Sequence, residues 1–202
     1  MSARTTSQPS LLEAAANGER AQLEALVAAG ADLNEIDRHG RSPIMVAALG
    51  RHYDVVQSLV DRGADFDLQD RVCLNPFLLG CTSGDLALVT LMLDAGTDLT
   101  RVTRFGGNGI TPASEKGFLD IVEKLLADTD INVNHTNWVG WTPLIEAIIL
   151  NDGGPRQQRI VTLLLEHGAD PLMTDKYGVT PRALAEQHEY SEIAALLASF
   201  GG

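Results

Sequence analysis

Cysteine is nearly absent: the 202 residues hold only Cys73 and Cys81. Two thiols cannot build a disulfide framework, and a reducing compartment is expected. Aromatic residues are equally scarce, at 5%, while Ala and Leu are frequent, which favours helices packed closely on small side chains. Basic residues are outnumbered, with 15 Lys plus Arg against 27 Asp plus Glu and a formal net charge of −12. That balance argues against a general attraction to nucleic acid, where Lys and Arg must neutralise phosphates. It argues equally against anionic membrane surfaces. Long apolar runs are missing too. The longest, Leu144 to Leu150, is interrupted by Glu146 and is far too short to cross a bilayer. The N-terminal MSARTTSQPS is polar, with no apolar stretch of a secretory signal, so a cytoplasmic location is expected. The sequon Asn134-His135-Thr136 would then carry no glycan.

The motifs of chemistry are absent in the same way. Gly106-Gly107-Asn108-Gly109 is glycine-rich but lacks the Gly-Lys-Ser/Thr that completes a phosphate loop, and it reads as a turn tip. His188-Glu189-x-x-Glu192 is half of a zinc-protease helix without its second His. His39, His52, His135 and His167 stand at spacings that do not suit a shared metal. No Gly-x-Ser-x-Gly elbow occurs, and Asp65-x-Asp67-x-x-Asp70 lacks the glycine and spacing of a calcium loop. Cys81 reads as a small core residue. Cys73 falls at a turn tip with no His placed to activate it. No enzyme activity, metal or cofactor is expected.

What is there is a repeat. LVAAGAD, LVDRGAD, LMLDAGTD and LLLEHGAD place Gly30, Gly63, Gly96 and Gly168 just past a helical apolar pattern, the first three at steps of 33 residues. A glycine there caps a helix by turning through a left-handed conformation. The next step of 33 lands on Thr129, which breaks the pattern. A second anchor, between two helices, occupies Gly18, Arg51, Gly84, Gly117 and Asn151. It precedes the cap by 12 residues in four units and by 17 in the fifth, an insertion of five residues within 151–158. Such an insertion reads as a tolerated loop extension, or as added binding surface. Pro43, Pro76, Pro143 and Pro181 open first helices, where a missing N–H costs nothing, and Ser42, Asn75, Thr142 and Thr180 precede them as caps. Pro112 imitates this motif but lies three residues late. The anchors put Asn108 at the capping position and Gly109 at the proline position.

The predicted organisation is a polar, disordered tail at 1–9 and a single domain at 10–200. It divides into an N-terminal cap at 10–36, four repeats at 37–69, 70–102, 103–136 and 137–174, and a C-terminal cap at 175–200. Each repeat holds a turn, a short helix, a tight connection, a longer helix and a loop. A lone helix pair cannot bury its apolar face, so neighbours stack into a continuous core.

Asp37-x-x-Gly40-x-Ser42-Pro43-Ile44-x-x-Ala47-Ala48, with Val55-Val56-x-x-Leu59-Val60 and Gly63-Ala64-Asp65, resembles the ankyrin repeat family. Asn137-x-x-Gly140-x-Thr142-Pro143-Leu144 and Asp175-x-x-Gly178-x-Thr180-Pro181 match as well. The resemblance covers about residues 10–200 and implies an all-α solenoid of helix pairs with projecting β-hairpin turns. RFGGNGITPASEKGF and WVGWTPLIEAIILNDGGP are similar to a bacterial subgroup of that family. Activity does not follow from it, because one fold serves unrelated functions.

The resemblance also implies that turn tips and first-helix ends line a concave binding face. Five of the 15 basic residues fall on tips: Arg38, Arg41, Arg71, Arg104 and Lys176. His39, Phe105 and Tyr177 occupy tips too, and both tryptophans, Trp138 and Trp141, share one. Ile149 ends a first helix. Arg, Trp and Tyr are the types enriched at interface hot spots. The reading is a monomeric scaffold that binds a partner protein, with an acidic contact surface, centred on Phe105, Trp138 and Trp141. The alternative is a sensor of a small anion held by Arg71, Arg104 and the Gly106-Gly107 backbone.

Overall fold

A computed structural model describes residues 10–202; the tail expected to be disordered, 1–9, lies outside the described residues. Twelve α-helices and no strand occur among the described residues. The projecting turns are therefore closed by local turn hydrogen bonds rather than by strand ladders. The chain forms two compact units, divided after Arg71.

The first unit contains α1 (Leu11–Asn17), α2 (Arg20–Ala28), α3 (Pro43–Leu49) and α4 (Tyr53–Asp61). Helices α1 and α2 form one pair, α3 and α4 the next, with α1 against α3 and α2 against α4. Ala14, Ala15, Ala47 and Ala48 are buried in the short helices, where a methyl-sized side chain lets the two backbones approach. Val55, Val56 and Leu59 are fully buried on the longer one. Ser10 opens the unit with a capping box, its hydroxyl accepting from the Glu13 amide while its own amide donates to the Glu13 carboxylate.

The second unit contains α5 (Pro76–Ser83), α6 (Leu86–Ala95), α7 (Ile110–Glu115), α8 (Leu119–Asp128), α9 (Pro143–Ile149), α10 (Pro155–Glu166), α11 (Pro181–Gln187) and α12 (Ser191–Ser199). The short helices form one row, α5 on α7, α7 on α9, α9 on α11, and the longer ones a second row from α6 to α12. Leu88, Val89, Ile121, Val122, Leu125, Ala147, Ile160, Val161 and Leu164 are buried in the seam, and Ile193 and Leu197 extend it into α12. Leu196 is only half-buried there.

Helix ends follow the chemistry expected of them, with three departures. Gly30, Gly63, Gly96 and Gly168 all have φ between 81° and 90°. At Thr129 the backbone is extended instead, φ −138°. Its hydroxyl donates to the Leu125 carbonyl at 2.6 Å and accepts from the Ile131 amide, so a side chain replaces the left-handed cap. Asn75, Thr142 and Thr180 each accept from the amide three residues on. Ser42 does not cap; its hydroxyl is buried without a hydrogen-bond partner. Asn108 is also no amide cap. Its carbonyl oxygen accepts from the Thr111 hydroxyl at 2.9 Å, and its amide donates to the Asn132 carbonyl.

Gly109 stands where the other units carry proline, and the reason is a neighbour. Its backbone is helical, φ −56° and ψ −36°, a conformation any residue adopts. A Cβ there, however, would lie 2.6 Å from the Phe77 ring. The other opening helices of this unit carry Ile110, Leu144 and Arg182 at the position of Phe77. The large ring fills the space that a proline would need.

The insertion is partly helix. Pro155 opens α10, which runs for 12 residues, so its first turn comes from the inserted stretch. Gln157 is buried, with its amide 3.4 Å from the Ser114 carbonyl. Asn151 donates to the Glu115 carbonyl at 2.8 Å, and the Tyr190 hydroxyl donates to the Asn151 carbonyl. The extension is anchored at both ends rather than looped out.

Candidate functional site

Three of the tips, those opened by Asp37, Asn137 and Asp175, share one local rule. The first tip residue uses a side-chain oxygen to accept the amides two and four residues on, which closes the turn and aims the intervening side chains outward. Asp37 does so for His39 and Arg41 at 2.7 and 2.9 Å. Asn137 does so for Val139 and Trp141 at 3.0 and 2.9 Å, and Asp175 for Tyr177 and Val179. At the fourth tip position the chain turns through positive φ, at Gly40, Gly106, Gly140 and Gly178, and at Cys73 with φ 61°. Cys73 carries this left-handed backbone without glycine's freedom. Cys81 is fully buried, and burial pushes its thiol well above the ordinary range.

In the first unit, Arg38, His39 and Arg71 are exposed. Arg38 donates to the His39 ring at 3.0 Å. Arg41 folds back on the Asp37 carboxylate, with contacts of 2.6 and 2.8 Å. Burial alone would raise the Asp37 pKa, but hydrogen bonds from the Arg41 side chain and from the Arg41 and His39 amides outweigh it, and the group sits near 2.

In the second unit, the structure brings Arg104, Phe105, Trp138 and Trp141 around a single cavity of about 680 Å³. Val72, Leu74, Pro112, Val139 and Leu150 complete its apolar lining. Phe105 and Trp138 remain 66% and 72% exposed. The two tips are tied together: the Trp138 amide donates to the Phe105 carbonyl at 3.0 Å, and the His135 ring sits 2.6 Å from the Gly106 carbonyl. The Trp138 indole covers Gly106 so closely that a Cβ there would fall 2.5 Å from the ring. Trp138 therefore packs on one face and is open to solvent on the other. Arg104 lies 4.8 Å over the Phe105 ring centre, a cation–π geometry.

Three expected contacts stand apart from this cavity. Lys176 and Tyr177 pair with each other at their own tip, 5.1 Å from ammonium to ring centre, with Tyr177 76% exposed. Ile149 is half-buried, and its neighbour Leu150 lines the cavity instead. Of the groups considered for an anion cradle, the Gly106 amide donates to the Thr103 carbonyl at 2.8 Å, and Gly106 and Gly107 are buried.

Among the cavity residues that the sequence does not mark as a site are Asn137 and Glu146. Glu146 is 6% exposed and accepts from the Asn137 side-chain amide at 2.5 Å. Burial raises its pKa, the nearby Glu115 carboxylate raises it further, and the Asn137 hydrogen bond opposes both, leaving it near 7. The signal was an acid inside the apolar run Leu144–Leu150, since a buried carboxylate needs a reason. Lys116, also on the lining, reaches the Thr82 carbonyl at 2.7 Å. Among the described residues no group of His, Cys, Asp and Glu could hold a metal ion. No described helix is long and apolar enough to cross a membrane.

The chain belongs to the ankyrin repeat family. The family model for ankyrin repeats (3 copies) matches residues 3–70, 77–175 and 113–201. The chain is 55% identical over 190 residues to the protein named "Putative ankyrin repeat protein YahD" of Escherichia coli (strain K12), covering 94% of each. It is also similar to the crystal structure of an ankyrin repeat domain from Acinetobacter baumannii AYE, at 36% identity and a TM-score of 0.90, covering 95% of this chain and 97% of that one. A second solved ankyrin repeat protein, EF0377, matches at 35% identity and a TM-score of 0.88, covering 96% and 98%. The fold class is thus the all-α ankyrin-repeat solenoid. Ankyrin repeats are in general protein–protein interaction modules, and the relatives named above are named as ankyrin repeat proteins.

Proposed function

We propose that this chain is a monomeric cytoplasmic scaffold that binds a partner protein through its turn tips and first-helix ends. Phe105, Trp138 and Trp141 anchor the partner. Arg38, His39, Arg41, Arg71, Arg104, Ile149, Lys176 and Tyr177 supply further contacts, with the basic tips meeting acidic groups on the partner. The observation that carries this reading is the cavity of about 680 Å³ walled by three aromatic side chains, two of them more than half exposed. A concave apolar site with a few polar groups is where binding energy concentrates. Exposed aromatics held by their own tip are pre-organised, so little ordering entropy opposes association.

The test is a photo-crosslinking amino acid at Val139, expressed in the native cells, together with W138A/W141A. A discrete crosslinked protein is expected. Its affinity for the double variant should fall by about 30-fold or more, the effect of truncating an interface hot spot. Retention of every crosslinked protein by a folded W138A/W141A would end the reading.

A further inference from the structure

The cavity has a charge arrangement that its aromatic walls alone do not predict. Its two carboxylates and two cations are unequally placed. Glu146 is buried, and Glu115 is half-buried beside it in the lining. Arg104 and Lys116 are exposed, and each already has a partner, the Phe105 ring and the Thr82 carbonyl. Screening by water weakens the exposed charges far more than the buried one. At neutral pH Glu146 is part ionised, and an entering cation would hold it in the carboxylate form, so the acids set the interior field of the occupied cavity. Glu146 uses one oxygen on Asn137, and a carboxylate has roughly four acceptor sites, so capacity for a further donor remains. The faces of Phe105 and the two indoles carry negative potential, which also favours a cation.

We propose that this cavity takes the basic side chain of one Lys or Arg residue from the bound segment of the partner, with the aliphatic stem against Phe105, Trp138 and Trp141 and the charged head toward Glu146 and Glu115. This deepens the partner-binding reading and rests on it. The apolar stem and charged tip of such a side chain match a pocket with an apolar mouth and an acidic wall. An acidic side chain entering here would meet two carboxylates. The acidic groups that the tips attract would flank the inserted residue rather than occupy the cavity.

Both tryptophans of the chain line this one cavity, so indole emission reports its occupancy directly. The experiment selects peptides from a random displayed library on the full chain, then titrates synthetic versions while following that emission. Peptides with one fixed Lys or Arg are expected to shift the emission, and acetylation of the lysine should abolish the shift. E115Q/E146Q should weaken them by about tenfold or more, the loss expected for hydrogen bonds to a charged group, while its thermal melt confirms folding. Selected peptides that shift the emission but lack a basic residue, or that bind E115Q/E146Q equally well, overturn the basic-residue inference and leave partner binding intact. Selection of no peptide that shifts the emission overturns both.

Discussion

The tips at 37–41 and 137–141 close by the same hydrogen bonds and end in opposite chemistry. At Asp37 the turn oxygen belongs to a carboxylate, and Arg41 folds onto it. The Asp37 and Arg41 charges neutralise each other within the loop, while Arg38 stays exposed. At Asn137 the same oxygen belongs to an amide, so Trp141 has no ion to hold it, and the spare N–H₂ reaches Glu146. Three residue differences act together, Asn137 for Asp37, Trp141 for Arg41 and Glu146 for Val46, and they couple the second loop to a buried acid and an aromatic cavity. The lesson is that turn geometry is shared while the capping side chain and the residues it can reach decide what the tip is wired to.

Asn137→Asp would break this comparison most severely. It keeps the turn acceptor but sets a second carboxylate against Glu146 in place of a donor. At pH 8 a loss of about 4 kcal/mol is expected by urea denaturation, the scale for an uncompensated buried charge. At pH 5 the loss should shrink, because protonated Glu146 can donate to the introduced carboxylate. A pH-independent loss would show that the coupling is not electrostatic.

The wild-type chain should carry a milder version of the same dependence. Glu146 is raised from 4.5 to about 7 in the folded state. Its contribution is fully present below pH 4.5, where both states are protonated. It declines as the unfolded carboxylate ionises, and is lost once pH has risen through 7. The stability of wild type relative to Glu146→Gln should fall by about 3 kcal/mol across that window. Parallel pH profiles of the two proteins would refute the burial argument. Asp37 predicts the opposite slope and a smaller size. Its pKa is lowered to about 2, so its stabilisation is present above pH 3.8 and lost as pH falls toward 2. Because the pair is partly solvated, Asp37→Asn should cost about 1 kcal/mol at pH 7 and progressively less as pH falls through 2, read from the same denaturation curves.

The frame of the molecule was legible because it is written in few, strongly constrained residues. Cap glycines need positive φ, opening prolines need the first helical turn, and both repeat at one spacing, so even the false motif at Pro112 could be placed. The aromatic tips were legible for the same reason, since Phe105, Trp138 and Trp141 fall at fixed offsets from those markers. The cavity's acid was not. Glu146 sits on a core-facing helix position, and its role depends on a hydrogen bond from Asn137 nine residues away and on Glu115 in the preceding repeat. Periodicity identifies which residues face inward; it does not say which inward polar atoms meet. The pairing of Lys176 with Tyr177, and of Arg41 with Asp37, was hidden in the same way. Offsets placed these residues on tips, and only rotamers reveal that they first satisfy each other.

The contact between Phe77 and Gly109 has a consequence for anyone redesigning this array. Writing the commonest residue into one unit at a time would install proline at 109 while leaving the ring that occupies its space. Neither position has an ideal residue of its own. The two must be rewritten together, and the smallest exchangeable piece of this protein spans the junction between two repeats.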